Sequence, residues 1–461
     1  MNPRSYPSAE PTDAGITEVR RFYTETIEVP IMSALAFYEA GKAYRGKRMF
    51  WQNKEGTFTV AGLGHAHVLT SAADDRFRQI KEDWRALCSQ LVNEEPDVQP
   101  ILFGGFSFDP ENGKESVWRN FPPAYFAVPQ FQLLIREDSA YVSIHLITEE
   151  PEAYRTFENL RVERDELIHA AQVTEPASAV PLTPVIRQEL EKEAYMESVK
   201  AVTSAIRRGE ADKVVLARML KLGYETGEMQ ASVLRNVTNQ QQGSFLFGME
   251  SGEQLFFGAT PERLVKVSDR QALSACLAGS IPRGKTAEED AALGRELLND
   301  PKNRSEHEYV VNMISSVFRK HCETADIPPV PKLMKIRDIQ HLYTPVKGEL
   351  LEEASLIDLV KELHPTPALG GEPRETAMEL IRQYEPADRG YYASPVGWID
   401  AQGNGEFAVA IRSALIDGEE AYLYAGGGIV ADSDPEAEYA ETWVKFRPML
   451  RALGGQLSDE S

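Results

Sequence analysis

Glu306 brings a carboxylate onto the apolar side of a helix. The spacing predicts that helix over 305–320 (SEHEYVVNMISSVFRK), with Val310, Met313, Ile314 and Val317 on one side. Glu306 stands four, seven, eight and eleven residues before these positions and shares their side, whereas Glu308 belongs to the other. A charge entering an apolar face needs a partner, a proton or a metal. The plainer alternative is a first-turn acid that complements the helix macrodipole.

Other segments offer chemistry of a matching kind. DKVVLAR (212–218) reads as a strand with Lys213, Val215 and Ala217 on one face. A lysine there is partly desolvated, which favours the neutral amine and suits a base; the alternative is an edge lysine that blocks aggregation. GATPERL (258–264) reads as a turn between two apolar strands that aims Glu262, and a carboxyl held in such a turn suits a general acid. Its alternative is pairing with Arg263 or Lys266. EFAVAIRSALI (406–416) alternates as one strand, with Phe407, Val409, Ile411 and Ser413 on one face and Ala408, Ala410, Arg412 and Ala414 on the other. An arginine among alanines has open volume around it, and its fork matches a carboxylate; a structural ion pair is the alternative.

Gly426, Gly427 and Gly428 follow a further strand, and glycines let backbone N–H groups approach an anion. A helix begins soon after, capped either by Asp434 with Pro435 at its first position or by Ser433 with Glu436. Tyr439, Trp443 and Phe446 form its apolar side, and Glu438, Glu441 and Lys445 share the other, where a solvated i,i+4 pair is the plainer reading. HPTPALGG (364–371) is a stiff loop. His65 and His67 have metal-ligand spacing but no evident third ligand, and read as structural.

These residues need a large body to position them. The chain has 461 residues, 42% hydrophobic and 26% charged, enough for a sizeable globular core. No apolar run approaches the ~18 residues of a membrane span, and the start lacks an apolar signal core. A net charge of −22 argues against nucleic acid and anionic membranes, yet leaves room for a small anion held by local cations. Cys88, Cys276 and Cys322 form no CxxC pattern, which points to a reducing cytoplasm.

In the first third, strands are predicted over 50–60, 101–108 and 140–147, with helices over 74–92 and 149–172. Three prolines make 174–184 the best linker, followed by a polar helix over 186–208. Strands are then predicted over 213–222, 244–249, 254–258, 264–267, 397–399, 406–416 and 421–425. Helices are predicted over 229–236, 287–299, 305–320, 357–362, 374–383 and 436–446. Hairpin-like successions favour antiparallel pairing and an α+β fold. The expected organisation is a loose tail over 1–15, an N-terminal region over 16–185 packing into the main body, and a catalytic region over 186–456. GxGxxG, HExxH and GxSxG are all absent.

Taken in order, KVVLAR, GATPERL, LAGSIPRG, SEHEYVV, HLYTP, HPTPALGG, RGYYASPVGW, FAVAIRS and AGGGIV…EYAETWVK resemble the chorismate-utilising enzymes, and among them the isochorismate synthases. The resemblance is strongest over about 195–454. LFGGFSFDP (102–110) resembles the Bacillus-type menaquinone branch.

The resemblance implies two antiparallel sheets packed face to face with helices outside. It implies an isomerase that acts on chorismate with Mg²⁺, held by Glu306 and Glu441 with help from Glu438. Lys213 would be the base toward water and Glu262 the acid toward the leaving hydroxyl. Arg412, Tyr392 and the Gly426–Gly428 amides would hold the enolpyruvyl carboxylate. His364, Thr344, Ala278, Gly279 and Lys445 would complete the substrate site. Anthranilate synthases carry glutamine at the place of Lys213, and aminodeoxychorismate synthases carry a lysine nucleophile at the place of Ala278. Asn303 departs from the aspartate of many relatives. A standalone monomer without an amidotransferase subunit is implied, and a salicylate synthase that also eliminates pyruvate is the alternative activity.

Overall fold

The computed structural model describes residues 21–93, 95–112, 114, 116–149, 153–173, 182–190, 192–225, 229–335 and 339–455. The tail expected over 1–15 and most of the linker expected over 174–184 lie outside them. Among the described residues the strands form two sheets, one of thirteen strands and one of ten, and the fold is α+β.

Within the larger sheet, alternate side chains serve two cores. Phe245, Phe247 and Met249 of the strand Phe245–Ser251 face the core between the sheets, and Leu246 faces a second core beneath the outer helices. The next strand, Gln254–Thr260, divides in the same way, with Phe256 inward and Leu255 and Phe257 outward. Burial on both faces explains why these strands read as continuous apolar runs. Phe407 and Val409 of the smaller sheet close the inner core.

Strands of the first third enter both sheets. Leu246 pairs with Gln52 in one, and Val396 pairs with Gly105 in the other. A buried ion pair fixes the first of these joins: Arg48 donates through Nε and Nη2 to the two Glu250 carboxylate oxygens at 2.9 and 2.6 Å. Tyr38 and the Gly46 amide donate to the same carboxylate, both at 2.8 Å. Removing one member of a sealed pair strands the other charge, at a cost of about 3–5 kcal/mol.

Three expectations need correction. The strand predicted over 50–60 is a hairpin, Arg48–Gln52 and Phe58–Leu63, because Asn53 and the left-handed Gly56 make a turn between them. The helix predicted over 186–208 begins as a strand, Ile186–Glu189, which pairs with Leu220–Gly223 before the helix Lys192–Arg207 starts. The single strand predicted over 406–416 is two strands, Gly405–Val409 and Ser413–Asp417, which lie in different sheets. The helix 287–299 stands as predicted, and the helix predicted from 305 begins at Pro301, capped by Asp300.

Burial also fixes two histidines in their neutral form. His145, bonded to Thr24 at 2.6 Å, and His364, bonded to the Phe108 carbonyl at 3.0 Å, are both held down to about 3 by desolvation. Their folded values lie below the unfolded value of about 6.5. The stabilisation is therefore complete above pH ~6.5 and is lost as pH falls toward ~3, by about 2 kcal/mol per histidine between pH 7 and pH 5. Urea unfolding at these two pH values should show that loss, and His145→Gln should reduce it; an unchanged pH dependence in the variant would contradict the assignment.

Candidate active site

Lys213 opens the strand Lys213–Gly223, hereafter the lysine strand. It lines a cavity of about 170 Å³ together with Asp212, Glu372 and Pro367, and with Ser305, Tyr309 and Val310 of the helix Pro301–His321. Glu306 lies in that same helix turn, between Ser305 and Val310. Its side chain is outside the described residues.

The lysine strand pairs along its length with Glu420–Ile429, the glycine strand. The glycine triplet therefore lies inside a strand, not in the loop expected after one. Val215 and Ala217 give their N–H groups to the Gly370 carbonyl at 2.9 Å and to Glu385 at 2.8 Å. Antiparallel alternation then makes Gly428 and Gly426, their cross-strand partners, direct their own amides away from the lysine strand. On that far side the neighbouring strand Ser413–Asp417 meets the glycine strand only along Glu420–Leu423, which leaves the glycines beyond its end. Gly427 lies opposite Leu216 in the ladder.

The missing side chains of this triplet have positive uses. A Cβ at Gly428 would stand 2.6 Å from Lys213 Cε, and one at Gly427 would stand 3.1 Å from Glu438 Oε2. Successive strand residues face opposite sides, so the triplet makes room for the lysine on one face and for the glutamate on the other.

Glu262 sits where the chain leaves the larger sheet for the smaller one, between Gln254–Thr260 and Arg263–Ser268. Its carbonyl accepts from the Val409 amide at 3.0 Å, and its amide donates to Thr260 Oγ1 at 3.2 Å. Burial pushes its carboxyl up, and the charges of Arg412 and Lys54 oppose this only in part. Of the alternative partners, Arg263 instead binds Glu406 at 2.6 Å.

Arg412 occupies the return crossing between the sheets. It has φ +51°, a left-handed conformation uncommon for a side-chain-bearing residue, and its carbonyl accepts from the Ala259 amide at 3.0 Å. Its charge acts on both Glu262 and Tyr392. Tyr392 stacks on Tyr424 with ring centroids 5.3 Å apart, and its hydroxyl bonds the Gly426 amide. Lys445 donates to the Gly426 carbonyl at 2.8 Å and pairs with Glu441 at 2.7 Å.

Lys445, Glu441 and Glu438 come from the helix Pro435–Ala452, capped by Asp434. Ser433 instead donates to Glu438 at 2.6 Å. Burial raises the Glu438 carboxyl, and the Glu441 charge raises it further. Two carboxylates that repel one another, one of them 57% exposed, form a donor set suited to a hard divalent cation. Among the described residues, which do not include the Glu306 side chain, three or more possible ligands do not cluster. The apolar side of this helix holds a surprise for sequence reasoning: Tyr439, Trp443 and Phe446 surround the buried guanidinium of Arg218, at 4.4, 4.8 and 4.9 Å.

The remaining predicted residues have other partners. Thr344 hydrogen-bonds the buried His307 at 2.8 Å, and both line a cavity on another flank of the Pro301–His321 helix, with Arg304 and Arg319. Ala278 gives its carbonyl to His307 Nδ1 at 3.0 Å. Gly279 is a bulge at φ +76°, and a Cβ there would crowd Asn303, whose side chain is tied to Asp300. His364 is sealed against Phe108, and the charges acting on it are those of Arg76, Arg374 and Arg389, none of them a predicted site residue. The half-buried His341, which sequence reasoning passed over, instead bonds Ser280 beside the Ala278–Gly279 wall at 2.7 Å. Its place in HLYTP, one of the matching segments, was the available signal.

A family model described as chorismate binding enzyme matches residues 13–454. The chain belongs to the chorismate-binding enzyme family. Among its members, isochorismate synthase MenF of Bacillus subtilis is 40% identical over 93% of both chains. The salicylate biosynthesis isochorismate synthase of Pseudomonas aeruginosa is 35% identical, over 93% of this chain and 90% of the relative. The solved structure of MenF, the menaquinone-specific isochorismate synthase from Escherichia coli, superposes with a TM-score of 0.78 at 26% identity and covers 94% of each chain.

The two glycine clearances can be tested separately. Gly428→Ala should fold normally, since only the end of a flexible lysine must move, yet lower chorismate turnover roughly 10²-fold by displacing the amine. Gly427→Ala should instead raise the divalent cation concentration needed for half-maximal activity. Melting curves with steady-state kinetics decide, and a Gly428→Ala enzyme of normal turnover would remove Lys213 from the reaction.

Proposed function

We propose that this protein is an isochorismate synthase, an isomerase that converts chorismate to isochorismate at the start of the menaquinone branch. The observation that carries the reading is a buried Glu262 whose carboxyl is raised while the charge of Arg412 acts on it, in a fold whose Gly428 makes room for Lys213. Sequence likeness over nearly the whole chain to enzymes of that name supports it.

In this mechanism the Lys213 amine, unprotonated, removes a proton from a water as the water oxygen bonds to C2 of the ring. Both ring double bonds shift, C1=C2 to C1=C6 and C5=C6 to C4=C5, and the C4–oxygen bond breaks. Glu262, whose protonated form burial favours, gives its proton to the departing hydroxyl, which leaves as water. Lys213 ends with one proton more and Glu262 with one fewer, and exchange with solvent resets both. Arg412 and Tyr392, with the outward amides of Gly426 and Gly428, hold the enolpyruvyl carboxylate.

Glu441 and Glu438, with Glu306, would hold Mg²⁺. When bound, it neutralises the ring carboxylate of chorismate and fixes that end of the substrate. Lys445, spent between Glu441 and the Gly426 carbonyl, ties the metal-holding helix to the carboxylate-binding edge. The reading includes action as a monomer in the cytoplasm without an amidotransferase partner.

Incubation of the purified protein with chorismate and Mg²⁺ should yield isochorismate by chromatography. Release of pyruvate with salicylate would select the lyase-competent alternative, and unchanged chorismate would overturn the reading. Lys213→Ala should lower kcat by roughly 10²–10⁴-fold while chorismate binding persists. Glu441→Gln should weaken the Mg²⁺ response, and an unchanged metal titration would remove Glu441 from the metal shell.

A further inference from the structure

The outer edge of the lysine strand is covered at both ends and bare in the middle. Lys213 and Val214 pair with Gly371–Glu372, and Leu220–Gly223 pair with Ile186–Glu189. Between these contacts an ion pair takes the place of a strand. Glu385 Oε2 accepts from the Ala217 amide at 2.8 Å, and Arg389 Nη2 donates to the Val215 carbonyl at 2.7 Å. Arg389 Nη1 also donates to the Leu369 carbonyl at 2.9 Å, and the guanidinium closes on Glu385 at 2.7–2.8 Å. Both side chains are only 2% exposed. An i,i+4 pair of this kind ordinarily lies on a solvated helix face and contributes little. This one is sealed and spends its polar atoms on backbone.

The same pair reaches the substrate side. The Arg389 carbonyl accepts from the Tyr392 amide at 2.9 Å, the Tyr392 hydroxyl bonds the Gly426 amide, and Gly426 lies opposite Ala217 in the ladder. Ala217, Glu385, Arg389, Tyr392 and Gly426 thus form a closed ring of contacts. From this ring we infer that Glu385 and Arg389 are positioning residues, which stand in for a missing strand and hold Lys213 and Tyr392 in one frame. The inference rests on the isochorismate synthase reading of those two residues.

The test replaces both charges at once, because a single replacement leaves the other charge buried. Glu385→Met with Arg389→Met should remain folded by circular dichroism, expose the Ala217 amide to faster hydrogen exchange and lower kcat/KM by roughly 10²-fold. Arg389→Lys keeps the charge pair but not the fork, and should recover part of that loss. A folded double variant with wild-type kcat/KM overturns the inference. So does one that loses activity with unchanged exchange over 213–219. Should the double variant not fold, Arg389→Lys decides, and wild-type kinetics with wild-type exchange there overturn the inference. A wild-type protein that leaves chorismate unchanged defeats the isochorismate synthase reading separately, since exchange at Ala217 alone reports whether the pair holds the strand.

Discussion

The chain crosses between its two sheets twice at one place, and the site is built on that double crossing. It leaves the larger sheet at Thr260–Arg263 and returns at Val409–Ser413. Each crossing bonds the other: the Val409 amide to the Glu262 carbonyl, the Ala259 amide to the Arg412 carbonyl, and Thr260 Oγ1 to the Val409 carbonyl at 2.6 Å. Ser413 Oγ adds a bond to the Ala410 carbonyl at 2.8 Å. These bonds sustain the left-handed Arg412, a conformation that costs about 1–3 kcal/mol when unsupported. The acid and the arginine are therefore both fixed by backbone, at the corner where the sheets meet.

The same crossing opens the space that a substrate would use. Had 406–416 run on as one strand of the larger sheet, its continuation would cover the glycine strand along Gly426–Gly428. Because the chain departs, the Gly428 amide keeps a free direction and the Gly426 amide is left to the Tyr392 hydroxyl. The glycines gain little from conformational freedom here, since none of the three has a positive φ. Their service is steric. They let Lys213 and Glu438 approach the strand from opposite faces, where any side chain would displace one of them.

A chain of net charge −22 suited to a dianionic substrate is less paradoxical once the local charges are counted. Arg412 and Lys54 act on Glu262, Lys213 reaches Gly428 and Lys445 binds the Gly426 carbonyl, while burial holds Glu262 toward its neutral form. Net charge governs long-range behaviour and solubility, whereas a site's potential follows from the nearest few groups. Glu438 and Glu441 are the exception, a mutually repelling pair whose chemistry suits a bound cation.

Local pattern and chemistry were legible in the sequence. Periodicity located most helices, the helix 287–299 among them, and ordered motifs pointed to Lys213, Glu262, Arg412, Tyr392 and the glycines. The split at Ala410–Arg412 was hidden because the alternation of apolar residues runs unbroken through it, and a period of two carries no information about which sheet a strand joins. The cage around Arg218, the sealed contacts of His307 and His364 and the clip of Glu385 with Arg389 were hidden for a related reason. Each unites residues distant in the chain, and a polar residue's sequence neighbours do not reveal whether water or backbone will be its partner. The sequence by itself determined which groups can move a proton or hold a carboxylate. Only the tertiary structure decided which of them meet, because burial and hydrogen-bond partners are properties of the packed chain.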